Sequence, residues 1–413
     1  MRATPKWTWP VLAVTPVYVL SCLLSVGGLI TAKPWGDVGQ YERYARLVLD
    51  GQIPYADFYV EYPPGAFAAW ILPAVVTDGE YLRVFKLEMA LVGLAALFAM
   101  AWILARLGAD GRRAGIALAA AAISPLALGH TFLNRFDPWP AVLVILALAA
   151  LLAERNRLAG GLLSLGFAVK MYAAVAAPVT AVRIARVSGR RALVASIVVA
   201  GLVGVVAFGL FLVLGFGGVG NTYYTQAERH LQIETLGATP FLVGDELGLY
   251  EARGASLSPG SIDLAGLGPD VASVLTSVLQ LALIMVVAVL YWRRPEHDER
   301  LVAAFAASVT AFAIFGKVLS PQFLVWLVFL VPLVHGRRGI AATGLLLAAL
   351  GLTQLELQGY TGLTIESWAV WILLVRNLLL VTLFGVLVHA VADARLAVES
   401  VVVRGRRTAA TEA

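Results

Sequence analysis

Apolar runs long enough to cross a bilayer recur from one end of this chain to the other, and no other feature limits its fold so severely. A helix needs about 20 residues to span the hydrocarbon core, where every backbone N–H and C=O must be satisfied within the protein. A chain made of such runs becomes a helical membrane bundle. Its composition agrees: 60% of 413 residues are hydrophobic and 14% are charged, against roughly 25% charged in an ordinary soluble domain.

The formal charge of +5 does not mark a nucleic-acid partner, because the Lys and Arg residues cluster in short loops between apolar runs, at 106–113, 154–157, 183–191, 292–300, 336–338 and 404–407. Basic loops of this kind lie on the cytoplasmic side and orient the spans. The first run, 11–31, is too long for the core of a signal peptide and is read as a span. The only cysteine, Cys22, lies within it, so no intrachain disulfide forms.

Two segments test the threading. Residues 63–77 are short and interrupted by Pro73, and a crossing there would leave the 106–113 cluster outside; they are read as an interfacial or re-entrant helix. Residues 158–182 have basic clusters at both ends, so they are read as two half-length helices turning at 170–172. The expectation is an all-α polytopic protein with 12 crossings, at 11–31, 82–107, 114–130, 138–153, 158–169, 172–185, 192–216, 270–292, 300–316, 320–335, 339–356 and 367–391. It forms one domain over 1–403, with both termini cytoplasmic, extracytoplasmic loops at 32–81 and 217–269, and a disordered tail at 404–413.

On this threading the outer side carries few charges, crowded in the first loop, KPWGDVGQYERYARLVLDGQIPYADFYVEYPP (33–64). Basic residues there run against the orientation rule, so each needs a reason. Asp37 is placed either to cap a helix over 38–49 or to act as a general base. Arg135 has a local candidate partner in Asp137. Lys170, deep in an apolar segment, marks a site, since an ammonium there is costly. Lys317 repeats the pattern, and Arg229 and His230 fall either on a solvated amphipathic helix or in the site. Cations, apolar walls and acids at a lipid boundary suit a lipid-linked phosphate and hydroxyl groups. The Gly-rich run 215–220 has no following Lys-Ser/Thr, so it is not a P-loop. The five histidines show no metal-ligand spacing.

AspValGlyGlnTyr (37–41), ProTyrAlaAspPheTyrValGluTyrProProGly (54–65), AsnArgPheAspProTrpPro (134–140), the break at Lys170, ArgHisLeuGlnIleGluThr (229–235) and SerProGlnPheLeuValTrp (320–326) resemble the GT-C membrane glycosyltransferases. They are most similar to family 87, which includes actinobacterial polyprenol-phosphate-mannose-dependent mannosyltransferases. The resemblance implies a GT-C fold with juxtamembrane helices in the first loop, and an acidic catalytic base there, which falls on Asp37. Val38 follows Asp37, so the adjacent acid pair of some GT-C enzymes is missing, and no metal or cofactor is expected. The implied partners are a polyprenyl-phosphate sugar, membrane lipids, and a glycolipid or cell-envelope glycan acceptor at the extracytoplasmic face of the cell membrane.

The expected donor-phosphate ligands are Lys170, Arg229, Lys317 and Arg135, with Tyr41, Glu61, Tyr62, His230, Gln232, Glu234 and Gln322 as further substrate contacts. A departing phosphate ester needs charge neutralisation and no acid, so one base suffices. In-line attack inverts the anomeric centre. The rival reading is a lipid or sugar-lipid transporter. Such folds often repeat an interrupted helix in each half, and here only one broken hairpin is evident.

Overall fold

The computed structural model describes residues 8–26, 36–258 and 260–393. The tail at 404–413, expected to be disordered, and the first-loop residues 33–35 lie outside the described residues. The chain is mainly helical. Six helices among the described residues are long and apolar enough to cross a membrane: those within Thr8–Ser25, Tyr81–Arg106, Arg190–Leu214, Leu267–Trp292, Gly336–Gly359 and Ser367–Ala392. The protein is therefore a multi-pass membrane protein.

These helices lack a polar stripe because apolar neighbours, protein or lipid, surround them. Arg190–Leu214 shows this most plainly: it packs chiefly against Asn156–Val169, and of its side chains only Ser196 is buried. At the other extreme, nearly every residue of Asp298–Phe315 is enclosed by protein. Gly111–Leu128, Pro138–Leu152 and Asn156–Val169 also form helices where the sequence predicts them.

Both segments that tested the threading are irregular. Residues 63–77 form a 3-10 turn, Pro64–Ala66, followed by a 10-residue helix, Phe67–Val76. The helix Asn156–Val169 stops at Lys170, whose extended backbone (φ −158°, ψ 129°) breaks the ladder before a 3-10 stretch over Met171–Ala176 and a short helix over Ala177–Arg183.

Three expectations change. Residues 320–335 do not form a regular span: Pro321–Leu324 and Val331–Leu333 are 3-10 turns flanking Val325–Val328, with prolines at the starts of both turns and most of the segment buried. The amphipathic helix considered around Arg229 ends earlier, at Ala227. The fold is also not purely helical, since Gly254–Ala255 pairs antiparallel with Asp263–Leu264, and Tyr360–Thr361 with Thr364–Ile365.

The segment around Glu234 is anchored to the helix Ser367–Ala392 beside an ion pair inside the bundle. Arg376 and Glu356 are both fully buried, with Arg376 Nε 3.3 Å from Glu356 Oε2. The guanidinium also donates to the Glu234 carbonyl at 2.7 Å, while Asn377 donates to Thr239 at 2.8 Å. Removing one partner leaves the other charge buried without compensation, at a cost of about 3–5 kcal/mol. Arg376→Met should therefore lower the thermal midpoint in detergent sharply, and Arg376→Met with Glu356→Gln should recover most of the loss. Equal midpoints for Arg376→Met and the parent would exclude this anchor.

Candidate active site

The first loop is held against the bundle by an aromatic wall and an arginine. The helix Val38–Leu49 buries Val38, Tyr41, Tyr44 and Ala45 on one face. Tyr41 stacks on Trp70 with centroids 5.0 Å apart and planes 5° apart. From the same helix Arg46 donates to the carbonyls of Ala74 (3.2 Å) and Thr77 (3.0 Å), closing the C-terminal end of Phe67–Val76. That accounts for one basic residue in the first loop.

Two glycines set how closely the loop approaches the rest. A Cβ on Gly36 would lie 2.6 Å from the Asn134 Cβ, and one on Gly65 would lie 2.6 Å from the Ala168 carbonyl oxygen. Only glycine permits both contacts. The first brings Asp37 to Arg135; the second brings the ProPro turn to the break at Lys170.

Asp37 stands at the N-cap position of Val38–Leu49, but its side chain makes no capping bond. Its carboxylate pairs with Arg135 and accepts from the Tyr62 hydroxyl at 3.4 Å. The pairing of Arg135 with its neighbour Asp137, expected from sequence, is replaced by this longer-range one. Asp137 is fully buried and turns both oxygens to other partners: Lys170 Nζ at 2.8 and 3.0 Å, and the indole N–H of Trp326 at 2.7 Å. Lys170 also sits 4.9 Å from the Phe136 ring centroid, 5.5 Å from Trp326 and 5.6 Å from Phe323. These rings add cation–π attraction in a desolvated setting.

These groups face a cavity of about 390 Å³. Asp37, Glu61 and Tyr62 from the first loop meet Arg135, Lys170, Arg229, Lys317 and Gln322, with Gln40, Gln226, Gln280 and Trp326 alongside. Four cations face two carboxyls, so the cavity favours an anion. Burial pushes the Glu61 carboxyl above its ordinary value, opposed by Arg229, the Tyr62 hydroxyl and Lys170. Burial lowers the Arg135 guanidinium to about 10, with Asp137 and Glu234 opposing, so it stays charged at neutral pH. Lys317 is lowered by burial and by Arg229; its ammonium donates to the Ala227 carbonyl at 2.6 Å and so also holds the end of Phe216–Ala227.

A second cavity, of about 340 Å³, shares Arg135, Gly260, Ser320 and Gln322 with the first. Gln232 and Glu234 line it, joined by a 2.5 Å bond from the Gln232 amide to the Glu234 carboxyl. Two of the residues expected in the site face neither cavity. Tyr41 lies behind Tyr62 in the aromatic wall, and His230 turns to Asp270, at 3.3 Å. Among the described residues no group of His, Cys, Asp or Glu is placed to hold a metal ion.

Sequence reasoning missed Asp137 as the partner of Lys170, and Trp326 as its other anchor. The signal was present, since a lysine in an apolar segment demands a buried acid, and Asp137 lies in one of the motifs. Arg376 was missed as well, though an arginine in the middle of a 26-residue apolar helix carries the same signal.

A bundle of apolar helices that encloses a polar, cation-rich cavity beneath its first loop is a membrane protein with a built binding site. The model of Glycosyltransferase family 87 matches residues 59–321, and the chain belongs to that family. The matched stretch carries Glu61, Arg135, Asp137, Lys170, Arg229 and Lys317, while Asp37 lies ahead of it and Gln322 just beyond it. No curated protein gives a match.

Two outcomes follow from this geometry. Asp137→Asn leaves the Lys170 ammonium buried with a neutral partner and should destabilise the protein by about 3–5 kcal/mol in thermal or denaturant unfolding. Trp326→Phe, which loses one hydrogen bond, should cost only about 1–3 kcal/mol. Glu234 is raised to about 8, chiefly by burial and then by Glu356, against Arg376, Arg135 and the Gln232 amide. The native state thus binds this proton more tightly than the unfolded chain, and the associated stability is lost as pH rises through about 8. The thermal midpoint should fall more between pH 6 and pH 9 for the parent than for Glu234→Gln; parallel falls would exclude it.

Proposed function

We propose that this protein moves a sugar, mannose by resemblance, from a polyprenyl phosphate to a hydroxyl of a glycolipid or cell-envelope glycan, inverting the anomeric centre. The observation that carries the reading is the cation-rich cavity. Arg135, Lys170, Arg229 and Lys317 come from four separate stretches of chain and converge on the carboxyls of the first loop. A phosphate ester beside apolar walls matches that charge and that setting.

Asp37 is the general base of this reading. The acceptor oxygen bonds to the anomeric carbon, and the bond from that carbon to the phosphate oxygen breaks. The electron pair leaves with the phosphate, and the hydroxyl proton passes to the Asp37 carboxylate. Arg135 pairs with Asp37, and a guanidinium fork can turn from a carboxylate to a phosphate. A bound donor would then draw Arg135 away and leave Asp37 able to take the proton. Glu61 is the reserve base, since it faces the same cavity.

The wider reading is a GT-C fold with 12 crossings, both termini in the cytoplasm, and the site facing the outside of the cell membrane. Its support is the placement of the basic loops and the irregular elements that roof the cavity.

Purified protein incubated with labelled polyprenyl-phosphate mannose and membrane glycolipid should form a labelled glycoside. A transporter would make no new glycosidic bond. Asp37→Asn should lower kcat by at least 100-fold, within the range of general-base catalysis, while the protein still folds, with a midpoint lowered by the loss of the Arg135 pair, and still binds donor. Near-normal turnover would remove Asp37 from its role. Lys170→Ala and Arg229→Ala should weaken donor binding by about tenfold or more each, the loss of one charge-assisted hydrogen bond.

A further inference from the structure

The second cavity differs in chemistry from the first. Its polar lining is mainly neutral: Thr131, Gln232, Ser261, Ser320, Gln322 and Tyr360. The ionisable side chains lining it are Glu234, which burial keeps protonated at neutral pH, and Arg135, and Arg135 is already paired with Asp37. A phosphate has no reason to settle here when four cations face the neighbouring cavity. Hydroxyl and amide groups around one carboxyl are suited to a partner that both donates and accepts hydrogen bonds.

The cavity also has a firm back wall. The Gln232 backbone N–H donates to the Lys317 carbonyl at 2.9 Å, and the Gln232 side-chain oxygen accepts from the Leu319 N–H at 3.0 Å. Behind Glu234, the Arg376 guanidinium holds the backbone carbonyl. The lining is thus built on the buried core of the bundle, with positions fixed before any ligand arrives. Ser256 also lines this cavity and is exposed.

Position completes the argument. The two cavities meet at Arg135, Ser320 and Gln322, and Arg135 is the residue paired with the proposed base. A hydroxyl held in the second cavity would meet, at this junction, a sugar presented from the cationic first cavity, which Asp37 lines.

We propose that the second cavity is the acceptor chamber and that it takes the neutral, polyhydroxylated end of a glycan, with Glu234 and Gln232 holding its hydroxyls. The assignment rests on the glycosyl-transfer reading above. In the transfer, one hydroxyl of that glycan end supplies the attacking oxygen; its proton goes to Asp37, and the polyprenyl phosphate departs as the anion.

The test uses the full-length protein in detergent, with polyprenyl-phosphate mannose as donor and octyl α-mannoside as a neutral acceptor probe. Ser256→Trp narrows the chamber from its exposed side, and Glu234→Ala removes its carboxyl. Each should raise the KM for octyl α-mannoside at least tenfold while the Kd for polyprenyl phosphate changes less than twofold. Octyl glucuronide, the same ring with a carboxylate, should be at least tenfold poorer as acceptor than octyl α-mannoside. An unchanged acceptor KM in both variants, or a parallel loss of polyprenyl phosphate binding, would overturn the chamber's assignment. Equal use of the glucuronide would overturn its preference for a neutral glycan. If the parent protein transfers mannose neither to octyl α-mannoside nor to water, the glycosyl-transfer reading fails first, and the assignment falls with it.

Discussion

Lys170 and Asp137 form the contact on which the rest of the site depends. An ammonium and a carboxylate withdrawn from water are each costly, and they persist in a protein interior only with close geometry and further hydrogen bonds. Here Asp137 accepts from both Lys170 and Trp326, and Tyr172 stacks on the Trp326 indole with centroids 3.8 Å apart. One buried pair thereby joins the stretch before Pro138–Leu152, the break in the 158–182 segment and the broken 320–335 segment.

The same principle recurs at other buried cations. Arg135 has Asp37, Lys170 has Asp137, and Arg376 has Glu356. Such pairing keeps a cation-rich cavity stable before any ligand arrives. It also makes the pairs unequal in what they can do. Asp137 and Glu356 are fully enclosed and act as fixed counter-charges. Asp37 is 29% exposed at its side chain and faces the cavity, so its pair with Arg135 is the one a ligand can reach and rearrange.

Much of this was legible in the sequence, and the limits have physical causes. Charge placement in the loops was enough to single out 63–77 as a short, irregular element and to put a break near Lys170, because the cost of misplaced charge at a membrane depends little on tertiary detail. The site cations were legible for the same reason, and Arg135, Lys170, Arg229 and Lys317 do line one cavity. Pairings were not legible. Arg135 and Asp137 sit two residues apart, yet each chooses a partner elsewhere, since side-chain direction at a short turn is set by what packs around it. Tyr41 and His230 show the same limit: a polar aromatic in a loop motif reads as a ligand, while Tyr41 is wall and His230 belongs to a surface contact with Asp270. The regular span expected at 320–335 failed because apolar composition reports burial, not helical regularity. A segment enclosed by protein can satisfy its backbone in turns.

The arrangement also explains why the first loop is so polar although it lies against the bundle. Its acids and tyrosines are not distributed for solvation. Arg46 closes a neighbouring helix end, Asp57 accepts from the Ile53 N–H at 2.7 Å, and Tyr55 donates to the Tyr62 carbonyl at 2.6 Å. These contacts spend polar groups on fixing the loop's shape, and they leave Asp37 and Glu61 facing inward. The loop is then a roof with two reactive groups on its underside, and the cations it faces are supplied by segments up to about 280 residues further along the chain. Neither half is a site alone. A roof held against a charged floor before any ligand arrives gives the pre-set geometry that group transfer requires.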